Sequence, residues 1–465
     1  MSAGSVTQGF AEGLLRQASA GLSAAAARRC GELVCDGLAV GALGAGEAPP
    51  RHLAALAAEA GGAPESTLLA QGLTRVPPVA AARVNGAAMH VLDFEPMWNP
   101  ANHSLSTTLP ALLALAEALA RRGGAAPDGA RLLLALAVGV EAQERLRIAS
   151  AQFEPGSFLF HPPGMVGAMG AAAACGVLLG LDAGRLAHAL GIAASRAGGV
   201  IANVGSMVKC LHCGDAAAGG LEAALLAARG FTADADAIGS PRGWGRAFSG
   251  AAFRAEALTE PMGEWLVAAP GPAFKLYPSQ YGTHFVIAAA LAARAGWDGR
   301  GAIARATITA PAMAYVDRPI PASGLAGKFS FQYTAAAALL DGRVGVDSFA
   351  DARRFAPDME ALLPRIAVLP DAAREGRFDR MRVDVEVGLA DGTRLHGACD
   401  GPPGIWGRPV AEAALQAKWS DCLDAAFGAD DGPGLLRDAA RLGQCGAGYI
   451  AALLDRFGRA GATHG

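Results

Sequence analysis

Through the first two-thirds of the chain, apolar residues come in long Ala- and Leu-rich blocks separated by Gly, Pro or polar breaks. These blocks predict helices over 21–43, 76–93, 106–123, 128–148, 164–180, 183–197 and 214–229. Several are apolar nearly all round, as in helices buried inside a large helical domain. Gly167, Gly170, Gly176 and Gly180 fall within this region. No strand is expected ahead of them, so they read as close helix packing rather than a dinucleotide fingerprint.

After about residue 268 the period changes. Residues 303–310 suit a strand, and 381–389 alternate, with Met381, Val383, Val385, Val387 and Leu389 on one face. Asp391-Gly392 predicts a turn, with a return strand over Thr393 to Gly397. Helices are expected at 282–296 and 330–341, and again at 409–428 and 434–457. The fold class that follows is mainly α. A large all-α domain is built from both chain ends (1–268 and 407–465), with an inserted α+β lid domain over 269–406.

Composition narrows the function classes. Of 465 residues, 52% are hydrophobic and 17% charged, which excludes a disordered chain. The net charge of −3 and the lack of a basic run exclude an electrostatic footprint for nucleic acid. No apolar stretch is expected to reach a membrane span, and no basic segment leads into an apolar run as in a signal peptide. The expected location is therefore cytoplasmic, with the eight cysteines reduced. Of 39 basic residues only four are lysine: Lys209, Lys275, Lys328 and Lys418. Where arginine is so strongly preferred, a retained lysine marks a place for a compact point charge.

Five polar motifs stand out from this apolar background. NGAAMHVLDFEPMWNPANHS (85–104) carries His90 and Asp93 three apart, then His103 beyond two prolines. FLFHPPG (158–164) places His161 just before a proline-started helix. SMVKCLHCGD (206–215) holds Lys209 and His212, with Cys210 and Cys213 as a lone pair unsuited to a zinc ribbon. AFKLYPSQYGTHF (273–285) offers Lys275, Tyr277, Gln280, Tyr281 and His284. AYVDRPIPASGLAGKFSFQY (314–333) offers Tyr315, Arg318, Lys328 and Tyr333. Cations outnumber anions in this set, which suits a small polycarboxylate bound where two domains meet. Residues alone leave two other readings open. His90, Asp93 and His103 could ligate a metal in a hydrolase, or the chain could be a non-catalytic helical scaffold.

In the order Asn85-Gly86, His90-x-x-Asp93, His103, His161-Pro162-Pro163, Lys209-x-x-His212-x-Gly214, Lys275-x-x-Pro278, His284, Tyr315 and Ser330-to-Tyr333, the chain resembles the MmgE/PrpD family. That family includes 2-methylcitrate dehydratase, cis-aconitate decarboxylase and iminodisuccinate epimerase. The FHPP, YVDRP and SFQY stretches look most like the decarboxylase branch. The resemblance implies a helical domain with an inserted lid, a homodimer, no metal and no cofactor. It places Asp93, His103, His161, Lys209, Lys275 and Tyr315 around the substrate. Two positions depart from the decarboxylases: Met97 stands where they carry a threonine, and Gln280 where they carry a histidine. Losing a donor and a titratable group bears on which acid is accepted.

The expected chemistry is proton transfer next to a carboxylate in a lyase, or in an isomerase of the same type. His103 is the expected proton carrier, with His161 across the substrate and Asp93 orienting an imidazole. Tyr315 donates a hydrogen bond or a proton. Lys209, Lys275 and Arg318 neutralise carboxylates. His212, Gln280, Met97 and His284 complete the expected substrate contacts. Decarboxylation, dehydration and epimerisation would all use these parts.

Overall fold

The computed structural model describes residues 5–459 apart from Asp298 and Arg300. Residues 1–4 and 460–465 of the expected helical domain, and 298 and 300 of the expected lid, lie outside the described residues. Helix accounts for 57% of the structure and strand for 8%, so the fold is mainly α. Nine longer helices run through the first half: α1 (Val6–Ser19), α2 (Ala24–Gly44), α3 (Ala48–Ala60), α4 (Pro78–Val91), α5 (Ser104–Arg121), α6 (Gly129–Ser150), α7 (Pro162–Leu179), α8 (Ala183–Ala194) and α9 (Val208–Ala228). All but α1 and α3 match expected helices. Those two carry too many glycines, prolines and polar residues for a continuous apolar block.

Local chemistry sets the helix ends that matter here. The Asp128 side chain accepts from Arg131 N at the start of α6. Pro162 and Pro163 open α7, immediately after His161. The glycines of α7 serve packing, as expected. A Cβ on Gly170 would run into the Gln143 side chain of α6, and one on Gly167 would lie 2.6 Å from Thr107 of α5. Contrary to the expectation that no stretch reaches membrane length, α7 is long and apolar enough to cross one; 94% of it is buried inside the fold.

The second half carries a four-stranded sheet ordered β4-β3-β5-β6, with β3 Ile303–Ala310, β4 Ile366–Pro370, β5 Val383–Leu389 and β6 Arg394–Cys399. A two-residue ladder, β1 (Ser66–Thr67) with β2 (Arg75–Val76), stands apart from it. The β5–β6 hairpin is antiparallel with Val383 opposite Cys399, and β5 alternates buried and more exposed positions. Strand β4 was not expected. It is short, ends in proline, and pairs parallel with β3. Helices Tyr281–Arg294 and Phe331–Asp341 pack on the sheet side. The expected helix over 434–457 is two helices, Gly432–Arg441 and Tyr449–Arg459, parted at Gly448, which has φ 87°.

Two apolar cores result. One joins α1–α9 with Leu415–Phe457 near the C-terminus. The other joins residues from Tyr281 to Ile405, together with Met97 and Ala273. Met97 therefore belongs by sequence to the helical half and by packing to the sheet half.

Candidate active site

A cavity of about 320 Å³ opens where the two cores meet. Asp93, Met97, His103, His161 and Lys209 line it from the helical half, and Gln280, Tyr281, Tyr315, Arg318 and Phe378 from the other. Phe158 and Ile201 add apolar wall. Eight of the eleven expected site residues therefore reach one space. His103 and His161 immediately precede α5 and α7, and Lys209 lies in the first turn of α9.

Asp93 is the hub. Its backbone adopts φ 52°, a left-handed conformation that Asp tolerates better than most residues. Lys209 Nζ donates to Asp93 Oδ2 at 2.7 Å, and Lys275 Nζ donates to Oδ1. Burial alone would push the Asp93 carboxyl up. The two ammonium groups outweigh it and hold the carboxyl well below the usual range.

Glu95 is the second buried carboxylate, and sequence reasoning gave it no role. His90 Nδ1 bonds to its Oε1, Ser106 Oγ donates to the same oxygen at 3.0 Å, and His103 Nδ1 lies 3.3 Å away. Burial raises the Glu95 carboxyl, but His90 and His103 outweigh it and hold it well below its usual range. The other edge of His103 points back, with Nε2 at 3.8 Å from Asp93 Oδ1. Burial lowers His103 despite Glu95, and pushes His90 down to about 4. Burial, then the Lys209 charge, holds His161 well below the ordinary imidazole range. Burial thus disfavours the charged form of each imidazole while the cavity is empty.

Three of the expected substrate contacts lie outside the cavity lining. Lys275 is fully buried behind Asp93, and its ammonium is used by Asp93 Oδ1, Asp93 O at 3.0 Å and Ser279 O at 3.2 Å. It holds Asp93 and does not line the cavity. His284 stacks on Tyr281 with ring centroids 4.8 Å apart and faces Ser279 O, behind the wall. His212 meets His161, Nδ1 to Nδ1 at 3.3 Å, and so sets that ring from behind. Gln280 Nε2 donates to the Tyr315 hydroxyl at 3.0 Å, and Arg318 Nε donates to the Tyr315 carbonyl at 2.9 Å.

The expected metal trio of His90, Asp93 and His103 is not the set the fold assembles. Both Asp93 oxygens face ammonium groups, which oppose a cation. Donor atoms do converge in two other groups, His90–Glu95–His103 and His90–His161–Cys213, each within 4.8 Å. In the first, His90 already bonds to the carboxylate and His103 Nδ1 stands 3.3 Å from it, the order of parts in a proton relay.

Two family models match the chain: the MmgE/PrpD N-terminal domain over residues 9–256 and the MmgE/PrpD C-terminal domain over 277–433. The chain belongs to the MmgE/PrpD family. Among its relatives is the mouse cis-aconitate decarboxylase, 34% identical over 404 residues, covering 84% of this chain and 81% of that protein. The human cis-aconitate decarboxylase is 35% identical over 361 residues, 76% of this chain and 74% of that protein. The cis-aconitate decarboxylase-like protein oryM of Aspergillus oryzae is 27% identical over 424 residues, covering 84% and 85%. These relatives make the chain a lyase of the MmgE/PrpD type.

Proposed function

We propose that this MmgE/PrpD protein is a cofactor-independent carboxy-lyase acting on a small unsaturated tricarboxylate, with cis-aconitate as the first candidate. The observation that carries the reading is the make-up of the cavity. Lys209, Arg318, two histidines and the Tyr315 hydroxyl share it with an apolar wall of Met97, Phe158 and Phe378. The cations and the hydroxyl hold carboxylates that keep their charge. A carboxylate against the apolar wall is disfavoured relative to neutral carbon dioxide. The bond from that carboxylate to carbon breaks, and its electron pair moves into the allylic system. His103, turned by Glu95, supplies the proton that forms the new carbon–hydrogen bond.

Charge balance supports a polyanion. Lys209, Lys275, Lys328 and Arg318 surround the site, against Asp93 and Glu95. With neutral histidines that leaves two positive charges. A tricarboxylate reverses the sign, which favours a proton on an imidazole when substrate arrives. A homodimeric assembly is part of the same proposal, on the family resemblance.

The test is proton NMR of the purified protein with cis-aconitate in deuterated buffer. Itaconate appearing with one deuterium incorporated at the protonated carbon is the expected result. Turnover of 2-methylcitrate or iminodisuccinate instead would move the chain to the dehydratase or epimerase reading. No turnover of cis-aconitate by folded protein would overturn the proposal.

A further inference from the structure

All four lysines of the chain, from four separate segments, end on one three-residue turn. Lys328 Nζ donates to Leu92 O at 2.9 Å, Lys275 Nζ to Asp93 O at 3.0 Å, and Lys418 Nζ to Phe94 O at 2.8 Å. Three consecutive carbonyls thus accept from three different lysines. Lys209 and Lys275 also hold the Asp93 carboxylate. Lys418 in turn donates to Asp36 Oδ1 at 2.6 Å, an oxygen that Trp419 Nε1 shares at 2.9 Å. Its ammonium lies 4.2 Å from the Phe94 ring centroid. All four are buried, with none more than 7% exposed.

We infer that Lys328 and Lys418 are positioning residues for the site: with Lys275 they clamp the Leu92–Phe94 turn so that Asp93 and Glu95 meet His103. The reason for a clamp is on the backbone. A non-glycine residue at positive φ is strained and persists only where its surroundings over-determine it. Asp93 has φ 52°, and the carbonyls on both sides are pinned as well. The reason for lysine is shape. A guanidinium is a flat fork, whereas an ammonium is a point donor that fits end-on between a carbonyl and a carboxylate. Lys328 comes from the sheet half and Lys418 from the C-terminal helix Glu412–Phe427, so the turn ties both to α4. Neither lysine lines the cavity.

This inference rests on the proposed roles of Asp93, Glu95 and His103. Its test therefore has one readout that needs no substrate. Asp36→Asn/Lys418→Met removes the buried pair together, and Lys328→Met provides a second, independent variant. Lys418→Arg keeps the charge beside Asp36 while displacing the point donor. In folded variants kcat should fall roughly ten- to a hundred-fold with KM little changed, the cost of sub-ångström misplacement. The 13C-labelled His103 ring resonance should titrate at a different pH from that in the wild type. Lys418→Arg that still folds should lose kcat although the charge beside Asp36 is kept. Unchanged His103 titration in folded Lys328→Met or in the double variant would overturn the clamp. So would full kcat in Lys418→Arg. An inactive wild type would sink the proposed reaction and leave the histidine measurement to decide the clamp.

Discussion

The buried ammonium of Lys328 gives stability a pH dependence that can be worked out and measured. Burial pushes Lys328 down from its ordinary 10.5 to about 8. Below pH 8 the group is charged in both the folded and unfolded chain, and the cost of burying that charge is fully present. Between about 8 and 10.5 the folded protein has released the proton while the unfolded chain still holds it. The unfolded state then binds more protons, so this contribution raises stability as pH rises. The full gap corresponds to about 3 kcal/mol, at about 1.36 kcal/mol per pH unit. Between pH 7.5 and 9.5 the accessible part is about 2 kcal/mol. The assay is urea unfolding of wild type and Lys328→Met across that range, followed by tryptophan fluorescence. Buried cysteines and tyrosines titrate in the opposite sense, but they are common to both proteins and cancel in the difference. The wild-type advantage should grow by about 2 kcal/mol with pH. A flat or shrinking difference would refute a desolvated ammonium at Lys328.

Two further outcomes follow from the site. His103→Ala should abolish turnover in progress curves while shifting the calorimetric melting temperature by only a few degrees, because the ring faces the cavity; normal turnover would remove it as the proton carrier. Binding of a tricarboxylate near pH 7.5 should draw about one proton from solution, read as a dependence of calorimetric heat on the buffer's ionisation enthalpy. Heats independent of buffer would contradict the charge balance around Asp93 and Glu95.

What the sequence could and could not disclose follows from which contacts are local. His103, His161 and Lys209 were readable because each stands at a helix start marked by prolines or a break, where a polar group in an apolar chain has few structural uses. The helices were readable for the same reason, and β4 was not, because five apolar residues ending in proline carry no period of their own. Lys275 shows the limit. Its residue type and neighbourhood were right, but its partner is a carboxylate 182 residues away, and only the fold decides whether a cation faces substrate or protein. Glu95 escaped notice for a related reason. Its two imidazoles are five and eight residues distant, and they converge only because Asp93 turns the chain at positive φ. The scarcity of lysine was the one compositional signal that reached this turn. It marked four positions without saying that they were one place. A bias toward arginine is relaxed only where the fork does not fit, and the three carbonyls of Leu92, Asp93 and Phe94 are where a point donor is required.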